Sequence, residues 1–492
     1  MKPPFAKLRA SDRGQAILVI AAAMVGLAAF VGMMTDGGIL FIQYGRLKRG
    51  IDAASIAAAQ QFRQGFQGSD LAAAAQNFLR LNEAEADHIT VYRCKADNPT
   101  ADDGTEHDVR LCPQNVNDPQ RKLVRVTAEK WVNFNFLRLV GWNGTTIRAD
   151  SVGEAASIDL VLVIDTSSSM SYETGGEPDD PDSPLDDPRN CNFSTTDPCQ
   201  PLAKVKEVAE QFVDEMIFFP YDRVAIVALT GQADVAVYDP SFPSQKAEVT
   251  RDHVTVLSLS DDKTQVTNAI RSLKVFQPPK CDTNPESGPC LYYEGGVFDG
   301  LDCPAFVNTG NPSSCNSSNI GGALFRAGGE FTRPPSRTDS FWVTILLAGG
   351  PANATDRPEN EPGKTLLPHG FCPPATWSTI TCRDGSVSTR HKNTNSAYDA
   401  DDYARDQADF IANPVTGQGI TIFTIGLGEL VRNAWTGDAN AGEALLQYIA
   451  EDAGDGSGYT ANHGFYRFSP NANGLAEIFK SIADNIFTRI AQ

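Results

Sequence analysis

Three oxygen-bearing side chains alternate along the segment Asp165-Thr166-Ser167-Ser168-Ser169. A loop that leaves the tip of a strand turns alternate side chains to one side, so Asp165, Ser167 and Ser169 are expected to converge. One carboxylate and two hydroxyls are hard oxygen donors, which suit Mg²⁺ best, with Mn²⁺ and Ca²⁺ as alternatives. Because three donors cannot fill an octahedron, water or a partner's carboxylate would complete it. The alternative is a serine-rich turn that only caps a helix.

The elements that position this segment are expected to be buried strands that alternate with helices. Short apolar runs rich in β-branched residues cover 160–164, 224–229, 343–347 and 420–425. Such runs are typical of strands buried on both faces of a parallel sheet. Apolar residues with helical spacing occur at 205–216, 266–273 and 475–486. The pattern predicts a doubly wound, Rossmann-like α/β domain over 157–492, which binds ligands at the carboxyl ends of its strands.

In this setting the segment resembles the metal-ion-dependent adhesion site of von Willebrand factor A (VWA) domains. That family has a second ligand loop with the motif T-N-I-G, whose threonine faces the metal. The corresponding residues here are S-N-I-G, from Ser318 to Gly321. The resemblance therefore implies that Ser318 supplies a further hydroxyl ligand.

The third ligand loop of the family normally reads L-T-D-G, whereas residues 347–350 read L-A-G-G. Gly349 stands where the family has an aspartate, and its loss is expected to lower metal affinity about 10–100-fold, or roughly 1.4–2.7 kcal/mol. A bound cation opposed only by Asp165 should seek another acidic group, from a protein partner, from Asp356 or from a nearby acidic loop. The acidic residues of that loop are Glu177, Asp179, Asp180, Asp182, Asp186 and Asp187. The alternative is a metal-free domain used only for packing.

Three insertions are expected to surround the ligand face, at about 171–200, 276–317 and 350–396. Long loops beside a ligand face commonly determine specificity, although they are also consistent with solvated decoration. The aromatic residues that are candidates for partner contacts are Tyr292, Tyr293, Phe371 and Trp377.

Ten cysteines fall into five neighbouring pairs within loop-rich segments. The pairs are Cys94/Cys112, Cys191/Cys199, Cys281/Cys290, Cys303/Cys315 and Cys372/Cys382. None has the spacing of a zinc repeat, and the cysteines avoid the apolar runs, which favours disulfides in an oxidising compartment. Sequence alone does not fix their connectivity.

A membrane anchor is expected over residues 14–35, which contain no charged residue. About 22 helical residues reach about 33 Å, enough to cross a bilayer core. The stretch is longer than a usual signal-peptide core, so we expect a retained single span in the plasma (inner) membrane. Because the cysteines indicate export, residues 1–13 are expected to form a cytoplasmic tail and the bulk of the chain to be extracytoplasmic.

The start of the chain resembles the N-terminal segment of TadG-type proteins of Tad/Flp pilus assembly, with an Ala-rich helix continuing over 36–63. The resemblance rests on Arg13-Gly14-Gln15-Ala16, an apolar run, Asp36-Gly37-Gly38, Arg46-Leu47 and Ile51-Asp52-Ala53-Ala54. Pilin-like relatives carry a glutamate five residues after a cleaved glycine, whereas Val19 occupies that position here. Cleavage by a prepilin peptidase is therefore not implied.

Residues 64–156 are expected to form a small α+β module. Its predicted elements are a helix at 71–81 and strands at 88–93, 122–129 and 145–148. The module contains four large aromatic residues, Trp131, Phe134, Phe136 and Trp142. We expect them in the core, with an exposed adhesive surface as the alternative.

Charge and motifs exclude several function classes. The net charge of -20 repels phosphate backbones, so no nucleic-acid partner is expected. A phosphate-loop fragment at 362–365 fails because Pro358 stands where the required glycine belongs. Neither H-E-x-x-H nor G-x-S-x-G occurs, and we expect no enzymatic activity.

Together these observations predict a tethered protein that binds other proteins with the help of a metal ion. The resemblances imply pilus or envelope components as partners, acting in pilus assembly or adhesion and offering a carboxylate to the metal. Two alternatives remain: a pilin-like scaffold with a metal-free VWA domain, and a VWA partner of a chaperone-like ATPase, which would require the reversed topology.

Overall fold

A computed structural model describes most of the chain. The described residues are 13–62, 66–96, 98–115, 118–176, 184–186, 188–229, 254–276, 318–355, 390–393, 398–433 and 440–490. The chain divides into two compact units, Met1–Ala155 and Ala156–Gln492. Each unit is described by itself below.

The first unit combines a long helix with a small sheet. Its helices are α1 (Arg13–Ala59) and α2 (Gly68–Leu81), and its strands are β1 (His88–Arg93), β2 (Glu106–His107), β3 (Lys122–Asn133) and β4 (Gly144–Ala155). Within the described part, the strand order is β2-β1-β3-β4. Strand β3 pairs antiparallel with both β1 and β4, and β2 pairs parallel with β1.

Helix α1 has two differently packed parts. Residues 16–31 are all exposed. From Gly32 onward, one side of the helix is buried against α2, β3 and β4. Between Leu47 and Ala58, buried positions recur at steps of three and four, as one face of a helix requires: Leu47, Ile51, Ala54 and Ala58. Gly32 and Asp36, which are also buried, lie four residues apart nearer the start of the helix.

Three of the four aromatic residues expected in the core of this unit are exposed. Phe134 is buried, but Trp131, Phe136 and Trp142 are 48%, 45% and 60% exposed. The prediction was wrong for these three because β3 and β4 extend to Asn133 and Gly144, farther than the apolar pattern indicated. The aromatic residues therefore lie at the end of a long hairpin, beyond the covered part of the sheet.

The second unit is built on a sheet whose strand order is β10-β9-β8-β5-β6-β7 among the described residues. The strands are β5 (Ile158–Ile164), β6 (Arg223–Ala228), β7 (Val254–Ser260), β8 (Phe341–Ala348), β9 (Thr421–Leu427) and β10 (Tyr466–Ser469). All neighbours pair parallel except β7, which runs antiparallel to β6. The strand at this edge was not predicted.

Helices cover both faces of that sheet. They are α3 (Pro188–Cys191), α4 (Leu202–Met216), α5 (Lys263–Ser272), α6 (Ile320–Phe331), α7 (Ala400–Ala412), α8 (Leu430–Asn433), α9 (Ala441–Glu451) and α10 (Leu475–Ile490). Alternate residues of β5 enter opposite cores: Leu160 and Leu162 pack with α4, α5 and α10, whereas Val161 and Val163 pack with α6, α7 and α9. The predicted doubly wound α/β fold is confirmed.

Two of the five predicted disulfides are confirmed, Cys94–Cys112 and Cys191–Cys199. The other three pairs lie outside the described residues, as do Tyr292, Tyr293, Phe371, Trp377 and Asp356. The same holds for the phosphate-loop fragment and for most of the insertions at 276–317 and 350–396. Of the acidic loop residues, Asp186 alone is described, and it is buried.

Candidate metal centre at the carboxyl edge of the sheet

The candidate site lies where the chain reverses its direction of travel across the sheet. From the central strand β5 the chain moves to β6 on one side, and it later returns to β8 on the other. In open α/β sheets, ligands bind in the crevice outside the carboxyl ends of the strands at such a switch point. Here the crevice lies between the residues that follow Ile164 and those that follow Ala348.

Asp165 is oriented by backbone donors from both sides of this crevice. Its Oδ1 accepts a hydrogen bond from Ser167 N at 2.7 Å, and its Oδ2 accepts one from Gly349 N at 2.5 Å. Each carboxylate oxygen has a further lone pair available for another partner. The carboxylate is therefore fixed in place while it keeps capacity to bind an ion.

The two serines converge on the same point. The chain turns sharply after Ser167 into the one-turn helix Ser168–Ser171, which brings Ser167 Oγ to 3.1 Å from Ser169 Oγ. The Ser167 side chain also hydrogen bonds to Asp165. Adjacent oxygens around a Mg²⁺ ion at about 2.1 Å lie about 3.0 Å apart, so the two hydroxyls have the separation of neighbouring ligands.

Burial makes a cation favourable at this point. Asp165 is fully buried, and burial raises the pKa of its carboxyl above the usual range, against the lowering effect of its hydrogen bonds from Gly349 and Ser167. Among the described residues, no basic side chain forms an ion pair with it. An anion removed from water is costly unless an opposite charge compensates it. A divalent cation at the site would supply that compensation, so the donor set fits a metal.

Gly349 lies directly against the donors, as its place after β8 requires. A Cβ added to it would lie 2.8 Å from Ser169 Oγ and 3.4 Å from Asp165 Oδ2. A side chain at position 349 would thus begin at the site itself. The structure places this third loop beside the donors, without the carboxylate that the family motif has.

Ser318 lies just before α6, at the edge of the sheet from which that helix starts. Its N–H donates to Asn353 Oδ1 at 2.8 Å, and its carbonyl oxygen accepts from the N–H groups of Asn353 and Ala354. These bonds hold Ser318 to the loop that follows β8. They position its backbone, whereas the convergence of Asp165, Ser167 and Ser169 is made by side chains.

The first insertion (171–200) is connected to the candidate site through Val275 and Phe276. Phe276 N donates to Thr166 O at 2.6 Å, one residue from Asp165. Next to Phe276, Val275 exchanges two hydrogen bonds of 2.9 Å with the Asn192 side chain. Asn192 lies between the two cysteines of the Cys191–Cys199 disulfide. Hydrogen bonds thus connect the disulfide-closed segment to the loop of the candidate site.

A second group of carboxylates was not predicted from the sequence. Asp399, Asp401 and Asp402 offer oxygens within 4.8 Å of one another. Asp399 and Asp402 form a capping box at the start of α7, and Asp401 pairs with Arg405 at 2.8 Å. Helix capping accounts for this cluster without a metal. The sequence signal was present in D-A-D-D at a helix start.

Solved structures with similar folds include proteins of pili and a thread matrix protein of the mussel byssus. The pilus adhesin SpaC from Lactobacillus rhamnosus GG aligns at 13% identity and a TM-score of 0.36, covering 77% of this chain and 34% of SpaC. The vWF domain of the type V pili tip protein Mfa5 from Porphyromonas gingivalis aligns at 16% identity and a TM-score of 0.34, covering 68% of this chain and 97% of that domain.

A third similar structure is proximal thread matrix protein 1 from the mussel byssus, with a zinc-occupied MIDAS motif. It aligns at 14% identity and a TM-score of 0.30, covering 68% of this chain and 46% of that protein. No residue role follows from similarity at this level. No protein-family model matches the sequence, and no characterised protein matches it significantly.

Proposed function

We propose that this chain is a membrane-anchored, extracytoplasmic protein that binds protein partners through a divalent cation held by Asp165, Ser167 and Ser169. The convergence of these three side chains at the switch-point crevice is the observation on which the proposal depends. Ser318 is proposed as a fourth ligand. Mg²⁺ is the preferred ion for this oxygen donor set, with Mn²⁺ and Ca²⁺ as alternatives.

The position of Gly349 supports a partner carboxylate as the missing ligand. Asp165 supplies one negative charge, and Gly349 adds none although it lies against the donors. A divalent cation bound there would keep positive charge and open coordination positions. An Asp or Glu side chain of a partner would satisfy both, whereas a basic or apolar side chain would not. Binding would therefore depend on the metal and select acidic partners.

Helix α1 supports membrane anchoring. It contains an apolar stretch long enough to cross a bilayer, and residues 16–31 within it are exposed. An uncovered apolar surface of this length is unfavourable in water and favourable in lipid. The two described disulfides favour an oxidising location for the rest of the chain. A single span in the inner membrane with the N-terminus inside is consistent with both features.

The resemblance of the N-terminal segment to TadG-type proteins suggests the biological setting. We assign the chain to Tad/Flp pilus assembly or adhesion, with pilus or envelope proteins as partners and no nucleic acid. A non-enzymatic role fits a site that offers one carboxylate and hydroxyl oxygens. This arrangement serves ion-mediated contact between proteins.

The proposal is tested by replacing Asp165 with asparagine in the full chain, in a host strain that lacks its own copy. The substitution keeps the shape of the side chain and removes its charge. We expect surface pili, counted by electron microscopy, and Mg²⁺-dependent co-purification of crosslinked envelope proteins to be lost together. Addition of a chelator to the wild type should abolish the co-purification.

The matched control is Asp401→Asn, which alters a carboxylate of the α7 capping cluster. It should leave pili and co-purification intact, while thermal unfolding confirms that both variants fold. Normal pili and normal co-purification in folded Asp165→Asn would contradict the metal-assisted function. The exposed face of α1 would then favour the pilin-like scaffold, in which this helix packs laterally with other helices.

A further inference from the structure

The loop between β3 and β4, residues 134–143 and here called the hairpin loop, is attached to helix α1. Asp36 of the helix accepts hydrogen bonds from three consecutive backbone N–H groups of the loop. The donors are Asn135 at 2.8 Å, Phe136 at 3.0 Å and Leu137 at 2.7 Å. One carboxylate thus fixes the orientation of the loop relative to the helix.

Close packing one turn earlier adds to this attachment. A Cβ at Gly32 would lie 2.7 Å from Phe136 Cβ, so the absence of a side chain at Gly32 lets the loop approach the helix. At Gly26 and Gly37 nothing lies within 4 Å of such an atom. The hairpin loop therefore contacts α1 at a defined level, between Gly32 and Asp36.

The hairpin loop presents large apolar side chains to its surroundings. Phe136, Leu139 and Trp142 are 45%, 83% and 60% exposed. The Trp142 ring packs edge-to-face against the buried Phe134 ring, with a distance of 5.8 Å between the ring centroids. Arg138, also exposed, adds a positive charge beside them. A cluster of this kind on one loop is unfavourable in water unless something covers it.

The length of the uncovered helix indicates what covers the loop. Residues 16–31 are exposed, and at about 1.5 Å per residue they span about 24 Å. The hydrocarbon core of a bilayer is about 30 Å thick, so a crossing helix needs about 20 residues. If α1 crosses the membrane, the hydrocarbon region must therefore extend to about the level of Gly32 and Asp36. The hairpin loop cannot be held clear of the bilayer surface.

We propose that the hairpin loop inserts Phe136, Leu139 and Trp142 into the interfacial layer of the bilayer, on the extracytoplasmic side, to which the rest of the chain is exported. The proposal rests on the membrane anchoring of α1 proposed above. Tryptophan is enriched at this depth of membranes because its ring is apolar while its N–H is polar. Arg138 would meet lipid phosphates there. The loop would set the depth and rotation of the span as a second membrane contact.

The test uses tryptophan quenching by lipids brominated in the upper part of their acyl chains. The full chain is reconstituted at one copy per nanodisc of phosphatidylcholine and phosphatidylglycerol. The chain has five tryptophans, so Trp142→Phe is compared with the matched control Trp342→Phe in β8. We expect Trp142→Phe to lose quenched intensity and Trp342→Phe to keep it.

A second pair of variants tests the attachment to α1. Gly32→Leu should push the loop from the helix and reduce the lipid quenching of Trp142. Gly26→Leu adds the same side chain to the same apolar stretch, where it meets open space, and should leave the quenching unchanged. Unequal effects of this matched pair support the proposal, and equal effects contradict it.

The failures of the two proposals are distinguishable. A chain that does not float with lipid vesicles overturns the anchoring and, with it, the loop proposal. A chain that floats, but in which Trp142→Phe loses no more quenched intensity than Trp342→Phe, overturns the loop proposal alone. Protection of Trp142 only when several copies share a disc would show that a second copy covers the loop, and this also contradicts lipid insertion.

Discussion

Two backbone N–H groups fix the orientation of the Asp165 side chain before any ion binds. Metal binding therefore costs less conformational entropy at this ligand. The carboxylate accepts from Ser167 and from Gly349, which follow two adjacent strands. An ion at the site would meet a carboxylate whose orientation is already fixed. Because only one charged ligand is present, we expect weak affinity, on the order of 10⁻⁴–10⁻³ M, as for extracellular calcium sites of low ligand charge.

Restoring the missing carboxylate should strengthen metal binding. Gly349→Asp places a side chain whose Cβ lies 2.8 Å from Ser169 Oγ and 3.2 Å from Met170 Sδ, so both neighbouring side chains must shift slightly to accept it. We expect a gain in Mn²⁺ affinity of about 10–100-fold. Isothermal titration calorimetry on the full chain in detergent measures the change.

Gly350→Asp is the matched control, because a Cβ added there has nothing within 4 Å. It adds the same charge next to the same loop without entering the site. An equal gain from both variants would show that general negative charge, and not a ligand at position 349, determines the affinity.

The sequence predicted the convergence of Asp165, Ser167 and Ser169 because alternation after a buried strand is a local property. The position of the Ser318 backbone depends on how the loop after β8 holds the start of α6, which is a tertiary contact. The acidic cluster of α7 was missed because its role, helix capping, depends on where that helix begins. Local patterns thus predicted which side chains would lie together, and long-range packing determines their surroundings.

Among the elements, the disulfide-closed segment 191–199 is connected to the loop of the candidate site by hydrogen bonds. Asn192 joins it to Val275, and the next residue, Phe276, bonds to Thr166. A segment held in this way presents a fixed surface beside the crevice. We expect it to contribute contacts to a bound partner.

Removing this disulfide should destabilise the second unit. The double variant Cys191→Ser/Cys199→Ser frees a loop with a sequence separation of 8. For a closure of that size we expect a loss of about 2–3 kcal/mol in the free energy of unfolding, together with faster proteolysis within 188–200. Chemical denaturation of the full chain measures the first effect when it is followed by tryptophan fluorescence in a Trp131→Phe/Trp142→Phe background, which leaves only the tryptophans of the second unit.

Cys94→Ser/Cys112→Ser is the control, because that disulfide lies in the other unit. It should leave the unfolding of the second unit unchanged. Unchanged unfolding in the Cys191/Cys199 variant itself would contradict a stabilising role for the disulfide.

The central strands of the large sheet were predictable because burial on both faces leaves continuous apolar runs. Strand β7 and the second half of β4 could not be predicted in this way. In β4, Asp150 and Gly153 interrupt the apolar alternation, and pairing with β3 rather than intrinsic propensity holds them in the sheet. Because this extension of the hairpin was not predicted, the exposure of Trp131, Phe136 and Trp142 was not predicted either.

In the proposed function, one unit holds the chain at a membrane and the other binds partners. Deleting residues 14–31 removes the uncovered part of α1 and leaves the buried positions from Gly32 onward. We expect the full chain to resist extraction by alkaline carbonate and the deletion variant to become soluble. Extraction of the full chain under these conditions would contradict the anchoring.

The acidic composition of the molecule means that metal ions can also bind outside the candidate site. With a net charge of -20, the chain attracts cations in general, so binding alone does not identify a site. A test must separate Asp165 from other carboxylates, and the α7 cluster is the closest competitor in donor type.

The most direct measurement is a calorimetric titration of the full chain with Mn²⁺ and Mg²⁺, repeated on Asp165→Asn and Asp401→Asn at equal ionic strength. We expect one site in the wild type, retained by Asp401→Asn and weakened at least about 100-fold in Asp165→Asn, because the only charged ligand is lost. An unchanged isotherm for a folded Asp165→Asn variant, or no specific binding by the wild type, would contradict this expectation.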